Sequence, residues 1–423
     1  MEVWSTALNH GSNTKRKALG ANYWKLWAAS ATSNLGDGVS QAALPLLAIT
    51  LTGDARLVGG LATSAVLPWL LFALISGALV DRLDRQRVMW TANAARAALV
   101  GVIAVAVTTD HVSIWLLYVV AFCLGTAETL FDNAAQAMLP SVVRADQLET
   151  ANGRQYAAEI VANAFAGPPL GAFLFTVAMA APFWADSGSF VVSAALIAWV
   201  RLTRRGPVRA PAQRSLRSEI AEGLRWLNSH HVLRTLAIVL GVINFAGQMA
   251  MSTFVLFARD RLGLSERAFG VLLATMAIGG VLGGLFAARL TARAGLARSL
   301  FVVIGGQGVF VASIGLLDEP FAVGTVLAVN GFLGVWWNVI TVSLRQQIVP
   351  EHLLGRVNSV YRTFGWGSLP LGALAGGFLA HATSLRVPWF AAGAVCGVAL
   401  TIAMVALSQE AIDSSRAESP LRD

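Results

Sequence analysis

Residues Leu57–Val80 read LVGGLATSAVLPWLLFALISGALV, and Asp81–Arg87, directly after them, read DRLDRQR. The first stretch carries no charge and exceeds the about 20 residues that a helix needs to cross hydrocarbon. The second is too dense in charge to follow it into lipid. Together they predict a membrane-spanning helix that ends abruptly at a water interface. About twelve apolar runs of this kind recur along the chain. Composition agrees: 56% of the 423 residues are hydrophobic and 13% charged, against about 25% charged in soluble domains.

The runs predict an all-α membrane protein of twelve transmembrane helices, with both termini cytoplasmic. Spans are expected near 24–51, 58–80, 88–108, 112–132, 155–178 and 183–200, then 233–258, 268–288, 299–317, 320–343, 358–381 and 386–408. A cytoplasmic tail (1–23) precedes a first six-helix bundle (24–200). A basic linker (201–232) leads to a second bundle (233–408) and a second tail (409–423). The first apolar run is too long for a signal-peptide core, so it is expected to remain as helix 1.

The net charge of +8 raises the question of nucleic acid, and the distribution of basic residues answers it. Arg56, Arg259, Arg261, Arg267 and Arg386 fall outside, Arg96 lies within a helix, and the rest of the 31 Lys and Arg fall on the inner side. That is the positive-inside pattern, and no nucleic-acid partner is expected. Cys123 and Cys396 stand singly in apolar runs, so neither a disulfide nor a metal site is expected. In the linker, Leu216, Ile220, Leu224 and Leu227 recur at helical spacing, predicting an amphipathic helix on the membrane face or under the bundle.

The two halves are related. A shift of 207 residues lays Gly77 on Gly284, Arg82 on Arg289, Asp37 on Asn244 and Gln41 on Gln248. Two six-helix repeats around a midplane cavity are the architecture of a secondary transporter. Polar residues inside the membrane are therefore the candidates for its site. Helix 1 carries Ser30, Asn34, Asp37 and Gln41 on one stripe, with Gly36 and Gly38 making room for a bend. No basic residue in helix 1 faces Asp37. Helix 7 repeats the stripe without acid as Asn244, Gln248 and Ser252. Glu128 and Asp132 lie one turn apart on helix 4, and Arg96 of helix 3 is expected to pair with one of them. Glu159 is expected at the start of helix 5, near cytoplasmic water. Asp186 is expected to cap the outer start of helix 6. Asp37, Glu128, Asp132 and Glu159 are the proton-coupling candidates. Asn34, Gln41, Asn244, Gln248, Trp336, Trp337 and Trp366 are the candidates for the substrate cavity wall. Gly167, Pro168, Pro169 and Gly171 predict a kinked, closely packed hinge in helix 5.

The segment Gly77–Arg87 resembles the major facilitator superfamily, whose loop between helices 2 and 3 carries G-x-L-x-D-R-x-x-R-[RK]. The resemblance implies a cytoplasmic latch built from Gly77, Asp81, Arg82, Arg85 and Arg87. The second copy, GGLFAARLTARAG (283–295), has Ala288 where the aspartate would stand, so the latch is one-sided. LGDGV, ETLFDNAAQAMLP, LETANGRQ, SEIAEGLRWLNSHHVLR and VPEHLLGRVNSVYR are similar to the bacterial branch of macrolide-efflux proteins, the enterobactin exporter and transmembrane secretion effectors. That branch implies a proton-driven, monomeric exporter of amphipathic drugs or siderophore-like metabolites in the inner membrane, with protons and lipids as partners and no cofactor. GPPLGA (167–172) only approximates the antiporter motif GPxxGG, and helix 4 lacks an arginine that many drug:proton antiporters carry. A proton-coupled importer remains the alternative. So does a membrane sensor or enzyme, although the aqueous segments carry no nucleophile–base set or phosphate loop.

Overall fold

A computed structural model describes residues 19–144, 147–200 and 216–408. All its regular structure is helical. The first group comprises α1 (Ala21–Leu51), α2 (Ala55–Arg82), α3 (Arg85–Thr108) and α4 (Ile114–Val142). It continues with α5 (Leu148–Glu159), a π-helical stretch (Ile160–Ala166), α6 (Gly167–Val177) and α7 (Ala181–Ala198). After α8 (Leu216–Ser229) come α9 (His231–Met251), α10 (Phe254–Asp260), α11 (Glu266–Ala294) and α12 (Leu296–Ile314). The chain closes with α13 (Pro320–Ile348), α14 (Glu351–Gly367), α15 (Leu369–Ala382) and α16 (Val387–Ala406). Ten helical segments among the described residues are long and apolar enough to cross a membrane. Residues 1–18 of the first tail, 201–215 of the basic linker and the second tail lie outside the described residues.

Short polar caps set where the helices begin. Asp54, Asp84, Ser113, Ser265 and Glu319 each accept a backbone N–H from the first turn of α2, α3, α4, α11 and α13. Within each group, apolar faces pack helix on helix, α1 and α3 against α7 and α2 against α4, then α11 against α13 and α12 against α16. The amphipathic α8 docks under the second group. Leu227 is buried there, and Glu222 pairs with Arg356 of α14 at 2.9 Å.

Two local expectations change. The α1 helix runs unbroken through Gly36 and Gly38. The glycines serve close packing instead, since a Cβ on Gly38 would collide with Asn163 O and one on Gly167 would lie 2.5 Å from Gly38 Cα. The irregularity falls in the partner segment. Pro168 and Pro169 lack N–H groups, and Gly167 N–H bonds to Ala162 O, widening the helix to a π turn just before them.

The two groups meet mainly at the end that carries the α1–α2 turn. There Gly377 of α15 lies against Ala55 and Gly59 of α2, and Gly270 of α11 against Pro168 of α6. Arg259 donates to Ile49 O at 2.9 Å, Arg267 donates to Thr176 Oγ1 at 2.9 Å, and His381 Nδ1 stands 3.2 Å from Asp54. The side-chain hydrogen bond from Arg56 holds the Asp54 carboxyl down, to about 2. This folded value is below the ordinary 3.8, so the contribution is intact at neutral pH and fades only as pH falls from there toward about 2.

Candidate functional site

Arg96 sits at mid-height of α3, 3% exposed. Its Nη2 donates to the Asp37 carboxylate on α1. The guanidinium lies over the Phe190 ring of α7 at 4.2 Å and near Phe131 of α4 at 5.9 Å. Glu128, Asp132 and Asp186 stand within electrostatic reach of it. Buried polar groups brace this arrangement. Asn93 donates to Ser193 Oγ at 2.7 Å, Ser193 to Ala29 O at 2.8 Å, and Ser187 to Ala97 O at 2.8 Å, tying α3, α7 and α1 together. Packing of α1 and α3 on α7 thus brings the acid and the base to one point.

The ion pair differs from the expected one. Arg96 reaches Asp37, rather than Glu128 or Asp132, because α1 and α3 both flank α7 and place the two residues at one depth. Asp186 is no cap either. The helix α7 begins at Ala181, which carries Asp186 inside, 1% exposed, to accept a hydrogen bond from Ser40 of α1. Glu159 is not at a helix start, since α5 begins at Leu148 and puts Glu159 about 16 Å deeper.

A cavity of about 630 Å³ opens beside the pair. Asn34, Asp37, Arg96, Glu128, Asp132 and Glu159 line it. It extends from the depth of Asp37 to Leu139 and Asn152, toward the end opposite the α1–α2 turn. Asn34 donates to Ser30 O at 2.8 Å, and Gln155 donates to Ser30 Oγ at 3.0 Å. Trp366 enters from α14 and packs on Trp69 with ring centroids 4.7 Å apart.

A second cavity, about 410 Å³, lies mostly among helices of the other group, bordered by the α5–π segment of the first, and is largely apolar. Asn244 lines it, and Tyr156, Ile160 and Ala164 of the α5–π segment line both cavities. Gln41 and Gln248 line neither. Trp336 and Trp337 are also absent from both walls. Their indoles are buried in the core among α9, α12 and α13, where Trp336 Nε1 donates to Thr291 Oγ1 at 2.8 Å. Aromatic bulk there fills the bundle interior instead of facing a cavity.

At the α2–α3 turn, Arg85 Nη1 donates to Ala137 O at 2.7 Å and Gln86 Nε2 to Ile197 O and Val200 O at 2.8 Å. Asp84 accepts from Arg87 N at 3.1 Å. The side chains of Asp81 and Arg82 and the surroundings of Gly77 lie outside the described residues. Ser40, Gln155, Trp69, Gln307 and Asn330 escaped the sequence reading. Except for Gln155, which lies in the polar segment LETANGRQ, all are polar or indole groups inside apolar runs, and a census of such groups, not of acids alone, finds them.

The comparisons with known proteins fit this geometry. The chain is 30% identical over 388 residues to the multidrug efflux pump Tap of Mycolicibacterium fortuitum, covering 90% of this chain and 93% of that one. It is 24% identical to macrolide efflux protein A of Streptococcus pyogenes, covering 87% and 93%. Among solved structures, a bacterial homologue of the iron transporter ferroportin in an inward-facing state superposes with a TM-score of 0.72 at 16% identity, covering 92% of this chain and 99% of that one. The nucleoside transporter NupG superposes with a TM-score of 0.67 at 12% identity, covering 92% and 99%. The family model of the Major Facilitator Superfamily matches residues 26–369, and the chain is a multi-pass membrane transporter belonging to that superfamily.

Proposed function

We propose that the protein is a proton-coupled exporter of amphipathic small molecules working by alternating access. Counting α1 and the α14–α15 pair with the ten candidate spans gives twelve crossings. The bundles then occupy 24–200 and 233–408, and the basic residues set both termini in the cytoplasm. In this orientation the end closed by Gly59 and Gly377 is extracellular, and the acid-lined cavity opens inward.

The observation that carries the reading is the meeting of Arg96 with four acids, Asp37, Glu128, Asp132 and Asp186, beside a cavity. One guanidinium balances one carboxylate. The remaining acids take up positive charge as protons, or from the ligand, when the cavity faces solution. Asp37 is the principal proton site, with Glu128, Asp132 and Glu159 along the route to the inner face. Proton binding competes with the Asp37–Arg96 pair and so alters how α1 and α3 are held together across α7. The π turn and Gly167–Gly171 give the neighbouring α5–α6 segment a place to bend. Arg85 and Arg87, with Gly77, Asp81 and Arg82, form the inner latch. The relatives named for multidrug and macrolide efflux support an outward direction and a drug-like substrate.

The test uses the full chain in inside-out vesicles with a radiolabelled macrolide as probe. An acidic lumen is expected to drive its accumulation, and Asp37→Asn is expected to abolish that accumulation. Accumulation by Asp37→Asn at the natural rate would remove Asp37 from coupling. Uptake driven only by the opposite gradient would make the protein an importer.

A further inference from the structure

Three side-chain amides from three helices converge on the apolar cavity of the second half. They are Asn244 of α9, Gln307 of α12 and Asn330 of α13. Two have their nitrogens committed: Asn244 Nδ2 donates to Gly365 O at 2.8 Å and Asn330 Nδ2 to Val326 O at 3.1 Å. Because both partners are carbonyls, only the nitrogen can face them, and this fixes each amide's orientation. The oxygens are left as the available groups. The third, Gln307 Oε1, is buried and has no hydrogen-bond partner among the described residues. A buried acceptor without a donor is unfavourable and is satisfied by a ligand that brings one.

The placement mirrors the ion pair. Asn244 stands at the repeat position of Asp37. Gln307 lies eleven residues beyond the first residue of α12, as Arg96 does in α3. By the repeat shift in one case and by distance from the helix start in the other, a charged residue of one half is answered by a neutral amide in the other. No Asp or Glu lines this chamber. The remaining wall is mainly apolar, combining Gly247, Gly280, Gly331 and Val335 with the larger Met251 and Trp389, whose buried Nε1 is a donor without a hydrogen-bond partner among the described residues. Its volume of about 410 Å³ falls in the range of drug-sized sites.

We infer that this chamber is a ligand subsite for a neutral amphipathic molecule with hydroxyl or N–H donors, and that Gln307 Oε1 is a specificity-determining acceptor within it. The inference rests on the reading of the protein as a transporter of amphipathic compounds, but it separates ligand choice from proton coupling. The apolar body of the ligand fills the glycine-lined wall. Its donors meet the three amide oxygens, where a molecule lacking donors leaves Gln307 unsatisfied. Discrimination of this kind is stronger than any a purely apolar pocket provides.

The test is equilibrium binding to the full chain in nanodiscs, with no pH gradient. The probes are N-phenyl-1-naphthylamine, a neutral dye with one N–H, and its N-methyl analogue, which has none. The saturable fluorescence is expected to report tighter binding of the N–H dye. Gln307→Leu, nearly equal in volume, is expected to weaken that dye about five- to tenfold and to leave the analogue unchanged. Gln307→Asn, which keeps the acceptor, is expected to retain part of the preference and controls for folding together with size-exclusion elution. Equal loss of both dyes in Gln307→Leu, no preference in the natural protein, or no saturable binding of either dye would overturn the inference. Failure of Asp37→Asn to affect gradient-driven flux would leave these binding results untouched, so the two proposals fail separately.

Discussion

Arg96→Leu is expected to be the most damaging single substitution in the protein. The side chain is 3% exposed, bonded to Asp37, stacked on Phe190, and faces Glu128, Asp132 and Asp186. Leucine fills part of the volume but supplies no charge, which strands the Asp37 carboxylate, 23% exposed and facing the cavity, among other acids. Removing one partner of a buried pair in this way costs about 3–5 kcal/mol. Thermal unfolding of the purified protein in detergent measures the loss. The double variant Asp37→Leu/Arg96→Leu is expected to regain most of it, since both charges leave together and apolar groups replace them. If the double variant were no more stable than Arg96→Leu, the pair would not be the main source of the effect. Transport is expected to be absent in both, because the single variant loses the cation that competes with the proton for Asp37 and the double variant loses Asp37 itself.

Gly377→Val is expected to have the second largest effect, of a different kind. A Cβ at this position would lie 2.8 Å from Ala55 O and 3.2 Å from Gly59 Cα, and the reciprocal Cβ on Gly59 2.8 Å from Gly377 Cα. These neighbours are backbone atoms and cannot rotate aside, so α2 and α15 must separate. Each bundle keeps its own core, so the fold is expected to survive while the α1–α2 end no longer closes. Flux of the macrolide probe is expected to fall at least about tenfold. Hydrogen exchange at Ala55–Gly59 and Ala373–Gly377 is expected to rise. Gly284→Val is the control, since a Cβ there meets nothing within 4 Å, and it is expected to behave as the natural protein. Normal flux in Gly377→Val would mean that this contact is not part of closure.

What could be read from the chain ahead of its structure depended on how local the cause was. The run Leu57–Val80 and the charges after it mark a helix end by themselves, because hydrocarbon admits one and rejects the other. The amphipathic period of Leu216–Leu227 likewise needs only its own residues. The Asp37–Arg96 contact was not legible. It joins residues 59 apart, and the depth of each depends on where its helix enters the membrane. A few residues' error in the starts of α5 and α7 also moved Glu159 to the surface and turned Asp186 into a cap. Trp336 and Trp337 were assigned to a cavity because aromatic residues suit either a wall or a core. Only the rotation of α13 decides between them. Gln307 and Asn330 went unnoticed because a neutral amide in lipid draws less attention than an acid.

The confinement of the embedded acids to one half, among the described residues, has an electrical consequence. Asp37, Arg96, Glu128, Asp132 and Asp186 all belong to α1, α3, α4 and α7, whereas the corresponding chamber of the other half is lined by amides. A transmembrane voltage exerts about 2.3 kcal/mol per elementary charge per 100 mV. It therefore pulls on the buried groups of the first bundle and finds almost nothing to grip at the ligand chamber of the second. Membrane potential sets the energetics of one half of the molecule, and the affinity of the amide chamber stays independent of voltage.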